Sequence, residues 1–320
     1  MQSVQDLIGA ELSLFEQKFA ASVRGSNVLL DRIMRFIIKR KGKQMRPMFV
    51  FLSAKIAGGI TEPTYRAASL IELLHTATLV HDDVVDNSMI RRSFFSVNAL
   101  WKNKIAVLVG DFLLSKGLLL SMKHDDYRFL KIVSTAMEQM IEGELLQVEK
   151  VRRMDIEEKV YYEVIRQKTA SLIASCCECG AASAGAGDET IEKMRLFGEK
   201  IGIAFQIKDD MFDFGTDDVG KPLGIDIKEK KVTLPLIYSL NNSKSDVKKQ
   251  MINLVKNHND DPEKIARIIS FVKETGGLQY AETQMKKYQD EAFAILNTFP
   301  DGESRRSLEQ LVRFTTERNK

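Results

Sequence analysis

The sequence is poor in proline, cysteine and tryptophan, and these shortages exclude several classes of protein. Its 320 residues include six prolines, three cysteines and one tryptophan. Three clustered cysteines, Cys176, Cys177 and Cys179, make a poor disulfide framework, so we expect a reducing, cytoplasmic location. Cys176 and Cys179 have no second cysteine pair or histidine partner nearby in the sequence, which argues against a zinc site.

Long uncharged apolar runs and a strong excess of one charge are also missing. No stretch of about eighteen uncharged apolar residues occurs, so the sequence predicts no transmembrane helix. The first residues lack the basic and apolar blocks of a signal peptide. Lys and Arg total 47 and Asp and Glu total 44, a formal net charge of +3. This near-neutral balance, without aromatic residues interleaved among Lys and Arg, argues against a nucleic-acid-binding protein.

The spacing of proline and of apolar residues predicts an all-α fold. No proline lies between Pro63 and Pro222, and apolar residues recur at three- and four-residue steps, as in Leu12, Phe15 and Phe19. Alternating strand patterns joined by tight turns are absent, apart from one Asp-Gly pair that we interpret as a helix connection. Two segments are apolar nearly all round, as the central helices of a bundle should be.

Short polar breaks divide the chain into the predicted helices. The breaks are Arg40–Gln44, Gly58–Glu62, Lys123–Tyr127, Gly185–Glu189, Gly215–Lys231, Asn241–Lys244, Asn257–Pro262 and Asn297–Gly302. Because no Ser/Gly linker separates two compositions, we expect one helical-bundle domain over residues 1–320. The longest break is rich in glycine and charge, and such a loop in a compact helical protein is usually functional or mobile. Lys221 and Lys231 bracket a part of it that could close over a phosphate.

Two acidic clusters lie at the ends of strongly apolar segments. The clusters are Asp82, Asp83 and Asp86 in the first, and Asp209, Asp210 and Asp213 in the second. The first and third aspartates of each are four residues apart, so they should share one helix face. Charged side chains are seldom buried unless paired or metal-bound. Carboxylates without His or Cys suit Mg²⁺, which bridges carboxylates to substrate phosphates, so two such helices facing each other would hold several Mg²⁺ around a diphosphate.

Solvated acid pairs are the alternative interpretation of these clusters. Three Asp-Asp pairs elsewhere, at residues 125–126, 217–218 and 260–261, lie in polar loops and lack a third aspartate at the right offset. The two complete clusters differ from them in both respects, which favours a site.

Basic residues near these clusters are candidate anion ligands. Arg91 and Arg92 follow the first cluster, and Arg suits bidentate phosphate recognition. In KGKQMRPM, Lys43 and Arg46 flank the predicted start of a helix at Pro47, where cations oppose the helix dipole unless an anion binds. A solvated basic loop is the alternative for this motif.

Other polar residues in apolar surroundings leave two interpretations open. His75 lies two helical turns before Asp82, and a buried, hydrogen-bonded histidine is the alternative to a ligand. Gln206 lies in an apolar run, where its amide needs a partner. Lys168 and Thr169 interrupt an amphipathic helix, and an ordinary solvated lysine is the alternative there.

Together these motifs resemble those of the trans-prenyltransferase (polyprenyl diphosphate synthase) family. They are GKQMRP, HDDVVDNSMIRR, GELLQ, KTASL, FQIKDDMFDFG and GKPLGIDIKEKKVTLP, in the family's order and spanning residues 42–235. Terpene cyclases share the fold but lack this set. The resemblance implies an isoprenoid synthase fold around a central apolar tunnel, and a homodimer for which the apolar helices near residues 97–120 could supply the interface.

The resemblance also implies a reaction, the head-to-tail condensation of isopentenyl diphosphate with a farnesyl or geranylgeranyl primer, with three Mg²⁺ ions per active site. The metal ligands would be Asp82, Asp83, Asp86, Asp209, Asp210 and Asp213. The allylic diphosphate would be bound by Arg91, Lys168, Lys221 and Lys231, and isopentenyl diphosphate by Lys43, Arg46, His75 and Arg92. Thr169 and Gln206 would offer oxygen dipoles to the allylic cation.

Product length is inferred from the positions before the first aspartate. In short-chain relatives, bulky aromatic residues stand four and five residues before it, whereas here Thr78 and Ala77 stand there. We therefore expect a long all-trans product of about C35–C40, a length taken from the resemblance and not from fold-level rules. Leu120, Met137 and Met140 are candidates for a deeper tunnel floor.

Two alternatives to a long-chain synthase remain open at this point. The first is a synthase that stops at C15–C20, and the second is a non-catalytic subunit that binds prenyl diphosphates and modulates a partner. The C-terminal LVRFTTERNK lacks the closing basic motif of farnesyl synthases, and all six aspartates are present. The first fact favours a longer product and the second favours a catalyst.

Overall fold

The chain is helical almost throughout, as its sequence predicts. The computed structural model describes residues 2–25, 27–39, 42–91, 94–153, 157–215 and 223–317. The helices are α1 Gln2–Ser22, α2 Val28–Lys39, α3 Met45–Ala57, α4 Glu62–Val85, α5 Val97–Lys123, α6 Tyr127–Arg153, α7 Glu158–Ile165, α8 Ser171–Ser183, α9 Asp188–Phe212, α10 Ile225–Lys228, α11 Leu234–Asn241, α12 Ser245–Asn257, α13 Pro262–Glu274, α14 Gly277–Leu296 and α15 Glu303–Thr316. A π-helix, Arg166–Ala170, joins α7 to α8, and two short strands, β1 Ile90–Arg91 and β2 Phe94–Phe95, lie between α4 and α5.

The predicted breaks agree with the helix ends wherever those residues are described. Between α3 and α4, Gly58 ends one helix with a positive φ of 152°, a conformation that favours glycine. The next helix begins with a capping box in which the Thr61 N–H donates to the Thr64 hydroxyl at 3.0 Å. The short helix α10, inside the long predicted break, is not indicated by the sequence.

The hairpin after α4 was also not predicted. Its strands pair antiparallel, Ile90 with Phe95 and Arg91 with Phe94. The α4 helix ends because Asn87 takes a φ of 50° and the Ser88 N–H folds back onto the Asp83 carbonyl at 2.9 Å. Two-residue strands carry no alternating pattern, which is why periodicity does not detect them.

The chain folds into two compact units. The first comprises Met1–Thr135, Ser175–Arg195 and Asp301–Leu308, and the second Ala136–Ala174, Leu196–Pro300 and Glu309–Lys320. The expectation of one domain stays a prediction.

The first unit is organised around α4, which packs against α1, α3 and most extensively α5. Leu73, Ala77 and Val80 of α4 share an apolar cluster with Val109 and Leu113 of α5. Glycines on α5 permit close approach, since a Cβ at position 117 would lie 3.1 Å from a Leu74 methyl group.

The outer face of α5 is apolar and exposed. Its exposed large side chains are Leu100, Val107, Leu108, Leu118, Leu119 and Met122. By length and composition this helix could cross a membrane, and 33% of its most apolar window is buried. Length and composition alone are weak grounds for a membrane span, because core helices of globular proteins can satisfy the same criteria.

The second unit contains two apolar clusters. One joins α11, α12 and α13 through residues such as Leu236, Leu254 and Ile268. The other brings α7, α9, α11 and α14 together and includes Tyr161 and Ile207. The π-helix and α9 approach closely here, so the side chains before the second aspartate cluster lie against those of the π-helix.

Candidate active site

The first aspartate cluster lies at the C-terminal end of α4, with its carboxylates in contrasting surroundings. Asp82 and Asp86 are exposed, whereas Asp83 is only 3% exposed. The Asp86 N–H donates to the Asp82 carbonyl at 2.8 Å, so the helical spacing of the pair is retained. Burial raises the pKa of Asp83, and Arg91, whose Nε donates to Asp83 Oδ1 at 2.6 Å, opposes that rise.

The hairpin brings Arg91 back onto the helix that carries the aspartates. The Ser96 N–H donates to the Met89 carbonyl at 3.0 Å, and the Asn98 amide donates to the carbonyls of Asp83 and Ser88 at 3.1 and 3.2 Å. Arg91 therefore lies on a strand that is held against α4. Arg92 and Lys221, two of the predicted anion ligands, lie outside the described residues.

A cavity in the first unit holds several of the predicted anion ligands. It measures about 1230 Å³ including its open mouth and has apolar walls from α1, α2 and α4. The charged residues that line it are Glu16, Lys43, Arg46, Glu72, Asp83 and Arg91. Three cations thus face the same cavity as three carboxylates.

Internal contacts hold the GKQMRP loop beside this cavity. Gln44 has a left-handed φ of 52° and donates its amide to Glu16 Oε1 at 2.8 Å. Arg46 donates to Glu72 through Nε at 2.6 Å and Nη2 at 3.4 Å. His75 lies one turn after Glu72 on α4 and is half-buried.

The second aspartate cluster lies at the end of α9 in the second unit. Asp210 is 5% exposed and accepts hydrogen bonds from the Tyr161 hydroxyl at 2.7 Å and the Gln206 amide at 2.8 Å. Burial, reinforced by the charge of Asp226, raises the pKa of Asp210 to about 7. Asp209, one residue earlier, is half-buried.

The third aspartate of this cluster lies just beyond the helix. Since α9 ends at Phe212, Asp213 is the first residue after the helix and stands four residues from Asp209. Its carboxylate faces the backbone around α10, and burial raises its pKa against the lowering effect of those N–H groups. Its Oδ2 is buried and has no hydrogen-bond partner among the described residues. An uncompensated buried carboxylate oxygen of this kind suits a cation.

Asp226 is a candidate functional residue that sequence reasoning missed. It lies on α10, where burial together with the charge of Asp213 raises its pKa to about 6. Burial disfavours the charge of Lys231, but a hydrogen bond to Glu229 and the charge of Asp226 outweigh that effect and raise its pKa. A lone aspartate in a loop has no spacing signal. The only sequence feature that could have indicated a role for Asp226 is its position before the lysines of GIDIKEKK.

The π-helix carries Lys168 and Thr169. Lys168 forms an ion pair with Glu144 and donates to Gln147 Oε1 at 3.2 Å, so it is not simply solvated. Thr169 donates its hydroxyl proton to Gln206 Oε1 at 2.7 Å. Because the hydroxyl proton is already directed at Gln206 Oε1, the lone pairs of the hydroxyl oxygen remain available to an electron-poor group. A π-turn inside a helix often marks a functional site.

The donor set fits hard divalent cations that bind together with a phosphate. Among the described residues, no three Asp, Glu, His or Cys side chains converge closely enough to hold an ion by themselves. Mg²⁺ usually takes one or two carboxylates and completes its shell with water and substrate phosphates. Exposed Asp82 and Asp86, and the orphaned oxygen of Asp213, are suitable ligands of this kind.

The polyprenyl synthetase family model matches residues 27–272. This chain belongs to the polyprenyl synthetase family. It is an enzyme, a trans-prenyl diphosphate synthase of isoprenoid biosynthesis, and members of this family use isopentenyl diphosphate and an allylic diphosphate. The resemblance that the motifs indicated is therefore confirmed.

Individual relatives agree on the family and differ in product. The chain is 31% identical to heptaprenyl diphosphate synthase component 2 of Geobacillus stearothermophilus, covering 100% of this chain and 99% of that protein. A polyprenyl synthase from Caulobacter crescentus, solved with calcium and isoprenyl diphosphate, is 30% identical, with a TM-score of 0.90 and coverage of 100% and 98%. A geranylgeranyl pyrophosphate synthase from Bacteroides thetaiotaomicron is 39% identical, with a TM-score of 0.84 and coverage of 99% and 100%. The isoprenoid synthase fold is confirmed, and product length is left open.

In this prenyl synthase the predicted length-determining residues lie on three helices, α4, α5 and α6. Ala77 is fully buried in the α4–α5 cluster, and Leu120 packs against the same cluster. Thr78 is half-buried and donates its hydroxyl to the His75 carbonyl at 2.8 Å. Met137 and Met140 are half-buried on α6.

Proposed function

We propose that this prenyl diphosphate synthase extends a farnesyl or geranylgeranyl primer with isopentenyl diphosphate to a long all-trans product of about C35–C40. The observation that carries the proposal is the pair of small residues before Asp82. Ala77 and Thr78 put no aromatic side chain on α4 at the level where short-chain relatives have one. A prenyl chain that grows alongside this helix would therefore meet no bulky side chain that stops its elongation at this level.

Within this proposal the aspartates divide into ligands and supports. Asp82, Asp86 and Asp209 would hold three Mg²⁺ ions that bind the allylic diphosphate, with Asp213 in support. Asp83 and Asp210 are the inner aspartates, whose carboxylates are already held by protein donors. Bound Mg²⁺ supplies Lewis-acid withdrawal of charge from the departing diphosphate. That both clusters act on one diphosphate is inferred from the motif order of the family and not from the geometry of either unit.

The side chains of this chain bind, orient and shield the reactants. Lys43, Arg46, His75 and Arg92 bind isopentenyl diphosphate, and Arg91, Lys168, Lys221 and Lys231 bind the allylic diphosphate. Lys168 must exchange its ion pair with Glu144 for the phosphate, which the half-exposed position of that pair permits.

Thr169 and Gln206 face the developing positive charge. When the C–O bond breaks, the lone pairs of the Thr169 hydroxyl stabilise the allylic cation, since the hydroxyl proton points away from the cation in its hydrogen bond to Gln206 Oε1. The double bond of isopentenyl diphosphate attacks the cation, and the proton then lost passes to the released diphosphate. Apolar walls exclude the water that would otherwise quench the cation.

A shorter product is the second candidate. The 39% identity to a geranylgeranyl pyrophosphate synthase favours a stop at C20. A non-catalytic subunit is less well supported, although the word "component" in the name of the Geobacillus stearothermophilus relative suggests a partner for that protein. All six aspartates, the GKxxRP loop and the Lys168–Thr169 pair are present in this chain.

Product analysis tests the proposal. Purified protein is incubated with farnesyl diphosphate, labelled isopentenyl diphosphate and Mg²⁺, and the dephosphorylated products are separated by length. We expect a ladder that ends near C35–C40 and is abolished by EDTA and by Asp82→Ala. A ladder that ends at C20 would contradict the length argument and support the second candidate. Absence of elongation from every primer would indicate a subunit that needs its partner.

A bulky substitution at Thr78 tests directly whether the side chain at this position limits product length. Thr78→Phe should shorten the product, and this half-buried site admits the ring more readily than fully buried Ala77. Thr283→Phe is the matched control, because Thr283 is an exposed helical threonine whose hydroxyl also bonds the backbone. An unchanged ladder in Thr78→Phe would show that the growing chain does not pass this face of α4.

We also propose a homodimer formed through the exposed face of α5. Leu108 and Leu119 are 55% and 62% exposed on this helix. Several exposed apolar side chains on one helix form a patch, and such a patch indicates an interaction site, whereas single exposed apolar residues are common on any protein surface. A second copy would cover the same face symmetrically. We further propose a cytoplasmic location, in keeping with the buried free thiols of Cys176, Cys177 and Cys179.

A further inference from the structure

One edge of the Arg46 guanidinium forms hydrogen bonds with the carboxylate of Glu72 on the neighbouring helix. Glu72 Oε1 accepts from Arg46 Nε at 2.6 Å, and Glu72 Oε2 from Arg46 Nη2 at 3.4 Å. A guanidinium has five N–H donors in one plane. Glu72 takes two of them along one edge, and the Nη1 end of the fork is left to other acceptors.

The pair lies where an anion is expected to bind. Both residues line the cavity that also receives Lys43 and Arg91. The side chains of Arg46 and Glu72 are 22% and 18% exposed, so solvent screens their attraction only partly. Glu72 lies on α4, a helix held on several sides by the core of the first unit, whereas Arg46 lies in the first turn of α3.

We propose that Glu72 is a positioning residue that fixes the Arg46 guanidinium so that its open edge faces the isopentenyl diphosphate. This inference rests on the proposed function of the cavity. A free arginine side chain loses considerable rotamer entropy when it binds a phosphate, and the grip of Glu72 removes that cost before the substrate arrives. The negative charge of Glu72 opposes an incoming diphosphate, so the proposal requires the orienting effect to exceed this repulsion.

The variant Glu72→Gln distinguishes orientation from repulsion. It keeps the size of the side chain and one carbonyl oxygen, but it places an amide donor against a guanidinium donor and so breaks the two-point grip. We expect the Kd of isopentenyl diphosphate, measured by calorimetry, to rise about tenfold, because the cost of ordering the long Arg46 side chain then falls on the binding step. The KM for the allylic substrate should stay unchanged, and Glu72→Asp should recover part of the affinity.

The same unit contains a closely matched control pair. Arg66 donates to Asp126 through Nε at 2.5 Å and Nη2 at 3.0 Å, and these side chains are 22% and 10% exposed. Neither residue lines the cavity. Asp126→Asn should therefore lower the melting temperature about as much as Glu72→Gln, while leaving the Kd of isopentenyl diphosphate at its wild-type value.

Each outcome decides the inference. A Kd that falls in Glu72→Gln would show that Glu72 acts only as a competing charge, and an unchanged Kd would show that Arg46 needs no orientation. An equal rise in Asp126→Asn would indicate a general effect on the unit. If the wild-type protein elongates a primer but does not bind isopentenyl diphosphate through this cavity, the inference about Glu72 is wrong and the proposed function still stands. If the wild-type protein does not elongate any primer, the proposed function itself is contradicted.

Discussion

At the scale of single residues, neighbouring carboxylates have different tasks because their surroundings differ. Asp83 and Asp210 each follow an aspartate that is more exposed, yet both are nearly buried and held by protein donors. Sequence spacing identifies such a cluster but treats its members alike. Which carboxylate faces inward depends on the Arg91 hairpin and on Tyr161, and both are contributed by other elements.

The raised pKa of Asp210 predicts a pH dependence of stability in metal-free protein. The folded-state pKa of about 7 exceeds the ordinary value of 3.8, so the folded state binds the proton more tightly than the unfolded state. Stability should therefore fall as pH rises from about 4 to about 7, by up to about 4 kcal/mol at 1.36 kcal/mol per pKa unit. Denaturant unfolding in EDTA at pH 5 and pH 8 measures this difference.

The variant Asp210→Asn is the control for this pH dependence. It keeps the shape of the side chain and removes its charge, so the fall in stability between pH 5 and pH 8 should shrink. Asp226, whose pKa is raised to about 6, titrates in the same cluster and should retain part of the effect. Equal pH profiles for the variant and the wild type would contradict the assignment to Asp210.

The left-handed backbone conformation of Gln44 leads to a second prediction, on the stability of variants at this residue. Its φ of 52° is left-handed, and β-branched residues adopt that region at a cost of about 1–2 kcal/mol. Gln44→Val should therefore lower the melting temperature, while Gln44→Gly keeps the backbone conformation and loses only the hydrogen bond to Glu16. Thermal denaturation of the two variants distinguishes them, and equal stability would argue against strain at this residue.

At the scale of elements, the contact between α9 and the π-helix joins the reactive residues of the second unit. A Cβ at Gly202 would lie 2.4 Å from the Ala170 Cα, so the two backbones meet with no room for a side chain. Gly202 is one turn before Gln206, and Ala170 follows Thr169. This close approach is what lets the Thr169 hydroxyl reach the Gln206 amide oxygen.

Substitution of this glycine should harm both stability and catalysis. Gly202→Ala must displace a backbone, and we expect a loss of about 1–3 kcal/mol together with a reduced kcat. Gly9→Ala in α1 is the control, because a Cβ there meets nothing within 4 Å, and it should gain about 0.5–1 kcal/mol. Denaturant unfolding and steady-state kinetics provide the measurements. A Gly202→Ala enzyme with wild-type stability would show that the helices can separate freely.

At the scale of the whole molecule, the apolar face of α5 determines the expected assembly. Replacing Leu108 and Leu119 together by Glu should reduce the mass in solution from twice the chain mass to the 36.3 kDa of one chain. Leu14→Glu, at a 40% exposed leucine on α1, should leave the assembly unchanged. Analytical ultracentrifugation measures both. A wild-type protein that sediments as one chain, or that binds vesicles through α5, would refute the homodimer.

The helical class, most helix boundaries and the type of chemistry can be predicted from the amino-acid sequence. Proline scarcity and three- and four-residue apolar spacing are local properties, and so are the breaks between helices. The aspartate clusters and the GKxxRP loop identify the family because their residue types and order are explicit in the chain.

Which of these residues contact each other depends on the tertiary structure. Arg91 pairs with Asp83 across an unpredicted hairpin, Glu72 grips Arg46, and Tyr161 bonds Asp210. None of these contacts has a sequence signal, because burial and hydrogen bonding between separate elements depend on how helices pack and not on local spacing. For the same reason Asp226 was missed, since its carboxylate acquires its neighbours only when α10 folds against the end of α9.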